Sequence, residues 1–313
     1  MLAGQRTTPT RREFLQVLAA ALPPLMATTG AGAQPRPSSP ATRPIPSTGE
    51  RVPAIGLGSW ITFNVGNDRA AREGCAEVMR AFFDAGGRMI DSSPMYGSSQ
   101  SVIGEGLARI SRTAGVFAAD KVWIGAGARG PGQIEESRRL WRVPRFDLLQ
   151  VHNLLAWEAH LPTLFAMKSA GQLRYVGITT SEGRRHREIE SIMASQPIDF
   201  VQVSYNLLDR EVESRILPLA RERRIAVIAN RPFREGALLR TLQRHPLPPW
   251  ADEIGCDGWA QFALKFIVSH PALTCAIPAT RSVAHVQQNM GAGLGPMPEA
   301  AMRQRMAAHV QAL

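Results

Sequence analysis

From residue 52 onward the sequence alternates short apolar runs with amphipathic stretches, and it does so eight times. The runs occupy residues 52–57, 88–90, 116–124, 146–151, 173–178, 200–203, 225–229 and 273–277. Helical patterns follow at 72–85, 101–109, 133–141, 158–170, 184–194, 211–223, 258–268 and 283–290. Short apolar strands separated by helical crossovers pair in parallel. Eight such units fit a closed barrel better than an open sheet. The expected fold class is therefore α/β, a (β/α)8 TIM barrel, with residues 298–310 as an added C-terminal helix. Gly86-Gly87 and Gly171 end two of the helical patterns, where a left-handed cap turns the chain toward the next strand.

A closed parallel barrel restricts where chemistry can sit, because polar residues at the C-terminal ends of its strands converge on one mouth. Asp91 ends the second run, and Tyr96 follows in the loop Ser92-Ser93-Pro94-Met95-Tyr96-Gly97. Lys121 lies late in the third run, and His152 closes the fourth. A free phenol has a pKa of about 10, too high for an efficient acid near neutrality. A neighbouring ammonium favours the phenolate, and a carboxylate keeps that ammonium charged in a partly dry pocket. An imidazole can bond the reacting oxygen from the other side. The four groups suit proton donation to a carbonyl oxygen while a hydride reaches its carbon. Trp60, Phe63, Trp123 and Phe233, which follow strand ends, and Asn153, beside the histidine, are candidate walls of a substrate pocket. Strand alternation points Asp120 away from the face of Lys121.

The four residues in this order resemble the aldo/keto reductase family, as do GLG at 56–58, SVIGEGL at 101–107, DLLQVH at 147–152, GQLRYVG at 171–177 and QVSYNLL at 202–208. The similarity runs over residues 51–289. It implies a barrel that reduces aldehydes or ketones with NADPH, NADH not being excluded, and without a metal. It assigns Asp91, Tyr96, Lys121 and His152 to catalysis, with Tyr96 as proton donor. It also implies that Gln202, helped by Thr179 and Thr180, holds the carboxamide of the nicotinamide. Arg281 and Ser282 would hold a 2'-phosphate, and Gln288 and Asn289 would face the adenine. The sequence departs from the family pattern in several places. Asn230 stands where a stacking tyrosine is frequent, with Arg231 beside it as a possible phosphate partner. Thr179-Thr180 replaces a serine–asparagine pair, and His285 replaces a frequent arginine. These departures leave open a second reading, a nucleotide-binding sensor or interaction subunit with little turnover. The short segment after the last barrel helix implies an open mouth suited to small or medium carbonyl compounds.

Residues outside the barrel carry a different signal. TRREFLQ at 10–16 precedes the apolar run VLAAALPPLMA at 17–27 and the small-residue pattern AGA at 31–33. That order resembles a twin-arginine export signal, 1–33. It is followed by a flexible linker and start of the domain, 34–50, and the barrel, 51–313. The reading implies the periplasm as destination, the folded-protein export machinery as a partner, and no stable transmembrane span after cleavage. The net charge of +10 comes largely from scattered arginines, without a basic stripe interleaved with aromatics. Nucleic-acid binding is not expected from such a pattern. Three dispersed cysteines, Cys75, Cys256 and Cys275, suggest neither a disulfide framework nor a metal site.

Overall fold

The computed structural model describes residues 39–313, so the expected export signal lies outside the described residues. An antiparallel hairpin comes first, formed by β1 (Thr42–Pro44) and β2 (Arg51–Pro53). Eight parallel strands follow in spatial order: β3 (Leu57–Gly58), β4 (Met89–Asp91), β5 (Phe117–Val122), β6 (Phe146–His152), β7 (Leu173–Thr179), β8 (Phe200–Ser204), β9 (Ala226–Asn230) and β10 (Cys275–Ala276). Parallel bridges from Ile55 to Ala276 and from Gly58 to Ala279 join the two ends. At this seam the Gly58 N–H donates to the Pro278 carbonyl at 3.0 Å. A Cβ on Gly58 would lie 2.7 Å from the Ile277 oxygen, so a side chain there would force the closure apart.

Alternation along the strands divides two cores. Met89, Phe117, Leu148, Tyr175, Phe200 and Ile228 fill the barrel interior. Ile90, Ala118, Leu149, Val176, Val201 and Val227, one residue out of phase with them, pack in the larger core shared with the helices. The register sets Lys121 beside Gln150, His152 beside Thr179, Thr179 beside Gln202, and Ser204 beside Asn230. Farther along the same phase, toward the C-terminal strand ends, apolar residues therefore give way to a polar layer.

Within the expected flexible linker and start of the domain, 34–50, the described residues dock on the barrel through the hairpin, while residues 34–38 lie outside the described residues. Ile45 is fully buried and joins Val52 in the barrel core. Its N–H donates to the Glu50 carbonyl at 2.7 Å. The Glu50 carboxylate accepts from the Tyr175 hydroxyl at 2.7 Å and pairs with Arg174, which also bonds Asp147 at 2.6 Å. Ile45 supplies the apolar contact of the segment, the flanking prolines preset extended backbone, and the Glu50 contacts add the polar hold. The apolar run 52–57 also splits, with Arg51–Pro53 pairing in the hairpin and the barrel strand starting at Leu57.

The helices follow the expected order. Asp68 caps the helix Arg69–Asp84, its side chain accepting from the Ala71 N–H at 3.0 Å. Gly86 and Gly171 adopt φ values of 84° and 72°, as their left-handed caps require. The expected helix over 211–223 instead breaks into a 3-10 turn, Glu211–Glu213, and the helix Ile216–Glu222. Pro218 accounts for the break: it has no N–H to continue an earlier helix and is tolerated in a first turn. A short helix, Ala237–Leu242, appears where none was expected. The last helix, Ala300–Gln311, is fastened through Arg303, which bonds the Tyr205 hydroxyl, Glu213 and the Phe266 carbonyl. Among the described residues no helix is long and apolar enough to cross a membrane. The three cysteines are free and buried.

Candidate active site

The polar layer is organised around Asp91. One carboxylate oxygen accepts from the Lys121 ammonium at 2.5 Å. The other accepts from the Gln202 amide at 2.9 Å and the Gln150 amide at 3.3 Å. Lys121 is fully buried and also donates to the Ser92 carbonyl at 2.8 Å. Burying two charges costs desolvation, which only close pairing and additional hydrogen bonds offset. Here two amides and a carbonyl complete the pair. Burial alone would lower the Lys121 pKa, but the Asp91 charge and Tyr96 together hold it above its ordinary value.

Tyr96 stands over this pair, with the Lys121 nitrogen 5.2 Å from its ring centroid. The Trp60 ring lies 4.9 Å away, and the His152 ring meets Tyr96 edge-on at 5.7 Å. Burial raises the phenol's pKa and Lys121 opposes that rise, the net result being upward. The lowered phenol expected from its neighbours is thus not the outcome, because desolvation outweighs the ammonium. A phenol in this state retains the proton it has to donate. Burial, then the Lys121 charge, pushes His152 down to about 3, leaving a neutral imidazole near pH 7. Its Nδ1 lies 2.7 Å from the Ser93 hydroxyl.

A cavity of about 560 Å³ opens above these groups. That volume falls within the usual range for a small-molecule or cofactor site. Trp60, Tyr96, His152 and Asn153 line one part, with Thr179, Gln202, Asn230 and Arg231 beside them and Gln288 and Asn289 beyond. Gln202 is oriented on both sides: its nitrogen faces Asp91, while its oxygen accepts from Thr179 at 3.3 Å and from Asn230 at 3.4 Å. Asn230 also accepts from the Ser204 hydroxyl at 2.8 Å and donates to the Thr180 carbonyl at 2.8 Å. The residue that replaces a ring is therefore a hydrogen-bonded part of the floor.

Other expected site residues are placed differently. Trp123 is 41% exposed and lies outside the cavity lining, while Phe63 is fully buried in the core shared with the helices. Phe233 does line the cavity. Thr180 is buried beside the cavity without lining it, and its hydroxyl has no hydrogen-bond partner among the described residues. Arg281 is exposed outside the lining. Ser282 also lies outside, its hydroxyl capping the helix Val283–Gly291 by accepting from the His285 N–H at 3.4 Å. The Arg231 guanidinium reaches the cavity but bonds Glu235 at 2.6 Å and Glu182 at 3.1 Å, so its charge is already paired. Gln150, Ser93, Glu182 and Thr280 were not singled out by the sequence. Gln150 could have been, because it shares the inward phase of His152 two residues later.

Asp120 faces away from Lys121's side of the strand, as alternation requires. Its carboxylate is fully buried, accepting from Gln100 at 2.7 Å and from the Lys121 N–H at 2.8 Å. Burial pushes its pKa up to about 7, against the pull of Lys121. A carboxyl raised in the folded state binds its proton more tightly there than in the unfolded chain. Its ionisation therefore lowers stability progressively from about pH 4 to about pH 7. Asp120→Asn is expected to remove this dependence: its advantage in melting temperature grows across that interval and levels off above it. Thermal unfolding of both proteins at a series of pH values checks the prediction, and parallel curves would refute it.

The closed parallel barrel, with a protonated phenol, a buried ammonium–carboxylate pair and a neutral imidazole at one mouth, defines an enzyme of the barrel oxidoreductase class. Its sequence matches the aldo/keto reductase family model over residues 54–308. The chain belongs to the aldo/keto reductase family. It is 27% identical over 245 residues to the methylglyoxal reductase YeaE of Escherichia coli, covering 76% of this chain and 84% of that protein. An NADH-specific methylglyoxal reductase of E. coli is 24% identical over 238 residues, covering 66% of this chain and 71% of its own. An aldo/keto reductase from Klebsiella pneumoniae, solved with NADP and acetate, shares the fold with a TM-score of 0.70 and 23% identity. That match covers 84% of this chain and 93% of the other.

Proposed function

We propose that the protein reduces a small or medium aldehyde or ketone to the alcohol with NADPH. The observation that carries this reading is the Tyr96–Lys121–Asp91 arrangement beside His152 at the base of one cavity. The residues present fit a nicotinamide dinucleotide. Gln202 uses one amide hydrogen on Asp91 and has a second for a carboxamide, and Thr179 adds a hydroxyl. Gln288 and Asn289 offer amides to an adenine, and Arg281, exposed beside the same helix, is the candidate phosphate partner. When bound, the cofactor supplies the hydride. Tyr96 gives its proton to the carbonyl oxygen, and Lys121 stabilises the phenolate left behind. Asp91 keeps Lys121 charged, and His152 orients the oxygen. The paired Arg231 contributes to the mouth rather than to a phosphate.

The methylglyoxal reductases among the relatives and the NADP in the Klebsiella structure support the substrate and cofactor classes. The direct test is loss of NADPH absorbance when the purified protein meets a panel of aldehydes and ketones. Tight nucleotide binding without turnover on any of them would replace this reading with that of a sensor. Export through the twin-arginine route is also proposed, supported by Arg11-Arg12, the apolar run and the small-residue pattern in that order. Fractionation of cells expressing the full chain tests it: the protein is expected in the periplasm, and changing both arginines to lysine is expected to retain it inside.

A further inference from the structure

We propose that Ser93 is a positioning residue that fixes His152 as the Nε2–H tautomer, so that the imidazole meets the substrate oxygen as a hydrogen-bond donor. The Ser93 side chain is fully buried, with its oxygen 2.7 Å from His152 Nδ1 and 3.2 Å from the Met95 nitrogen. The Met95 backbone N–H can only donate, so Ser93 is already an acceptor on that side. Among the described residues, His152 Nδ1 is the other hydrogen-bond partner of this hydroxyl. Directing the O–H at Nδ1 satisfies both groups. The opposite choice, Nδ1–H donating to Ser93, would leave the hydroxyl hydrogen buried without an acceptor, a penalised arrangement. Once Nδ1 accepts, the single proton of a neutral imidazole resides on Nε2, at the far edge of a ring that lines the cavity. Burial and the Lys121 charge both favour that neutral form.

The placement of Ser93 gives this bond a second consequence. Ser93 and Tyr96 belong to one turn, in which the Tyr96 N–H donates to the Ser93 carbonyl at 3.0 Å. The turn that carries the proton donor therefore also holds the imidazole, fixing the two rings edge to face. Two donors, the Tyr96 O–H and the His152 Nε2–H, then converge on one oxygen, while Ser93 itself stays out of contact with the substrate. The catalytic consequence rests on the carbonyl-reductase reading, but the tautomer is a property of the protein alone.

Nitrogen-15 NMR of the histidine rings in the cofactor-free full chain is the test, with the His152 signals assigned by their loss in His152→Asn. Wild-type protein is expected to show a protonated, pyrrole-like Nε2 and an unprotonated, pyridine-like Nδ1. A protonated Nδ1 would overturn the proposal. In Ser93→Ala the two tautomers are expected to mix. Its kcat is expected to fall on the order of tenfold, the effect of about one hydrogen bond, with the KM for NADPH unchanged. A Ser93→Ala protein with the wild-type tautomer and kcat would equally refute the assignment. If that variant does not fold, the wild-type spectrum decides. If no carbonyl is reduced, the functional reading fails while the spectrum still judges the tautomer.

Discussion

Tyr96→Phe is expected to lower kcat by about a thousandfold while NADPH binding stays nearly unchanged. The substitution removes one oxygen and its proton but keeps the ring that contacts Trp60 and His152. General acid catalysis contributes about 10²–10⁴-fold in comparable settings. Among the described residues no other group at the cavity base matches the phenol as an acid: His152 is held neutral, and Lys121 is committed to Asp91 and Ser92. Single-turnover kinetics with a fluorescence titration of NADPH separates chemistry from binding. Retained turnover would transfer the proton donor's role to another residue or to water.

The second large effect concerns stability. Lys121→Met keeps an unbranched stem in the fully buried site but deletes the ammonium that Asp91 contacts at 2.5 Å. Removing one member of a buried ion pair costs about 3–5 kcal/mol because the other is left uncompensated. The Gln150 and Gln202 amides remain as donors to Asp91, but neither carries a charge. Adding Asp91→Asn to Lys121→Met is expected to recover part of the loss, since no charge is then stranded. Urea unfolding of the two single variants and the double variant measures the coupling. Additive losses would show that the pair does not act as a unit. Both single variants should also lose turnover, Lys121→Met because a phenolate forming at Tyr96 has no neighbouring cation.

The sequence disclosed the barrel because its period is repeated: each strand carries one inward phase, and each crossover an amphipathic face. It disclosed Asp91, Tyr96, Lys121 and His152 because their residue types are chemically unusual at successive strand ends. It did not disclose the direction of the Tyr96 shift. That direction depends on weighing burial against one charge, and burial is a property of the assembled wall. Nor did it disclose that Asn230 and Gln202 share a bond network, since their strands meet only in the sheet register. Trp123 was misplaced because following a strand end does not decide which way a ring turns once the strand has stopped. The hairpin was missed for a related reason. A flexible linker is an average expectation for such a segment, whereas the docking depends on particular residues, Ile45 in the barrel core and Glu50 on Arg174 and Tyr175.

Among the described residues, that hairpin covers the end of the barrel opposite the polar layer. Below it, Ile45, Val52 and the inward apolar residues fill the barrel, and the Glu50–Arg174–Tyr175 contacts fasten the hairpin at that end. Lys121 is sealed completely, and Asp91, though almost wholly buried, borders the cavity together with Tyr96 and His152. With that end packed, protons are expected to reach Tyr96 through the mouth that admits the carbonyl compound. A ligand that fills the mouth cuts the inner pair off from bulk water. Reprotonation of Tyr96 is then expected to follow product release, and the pH response of steady-state turnover to report release as well as the chemical step.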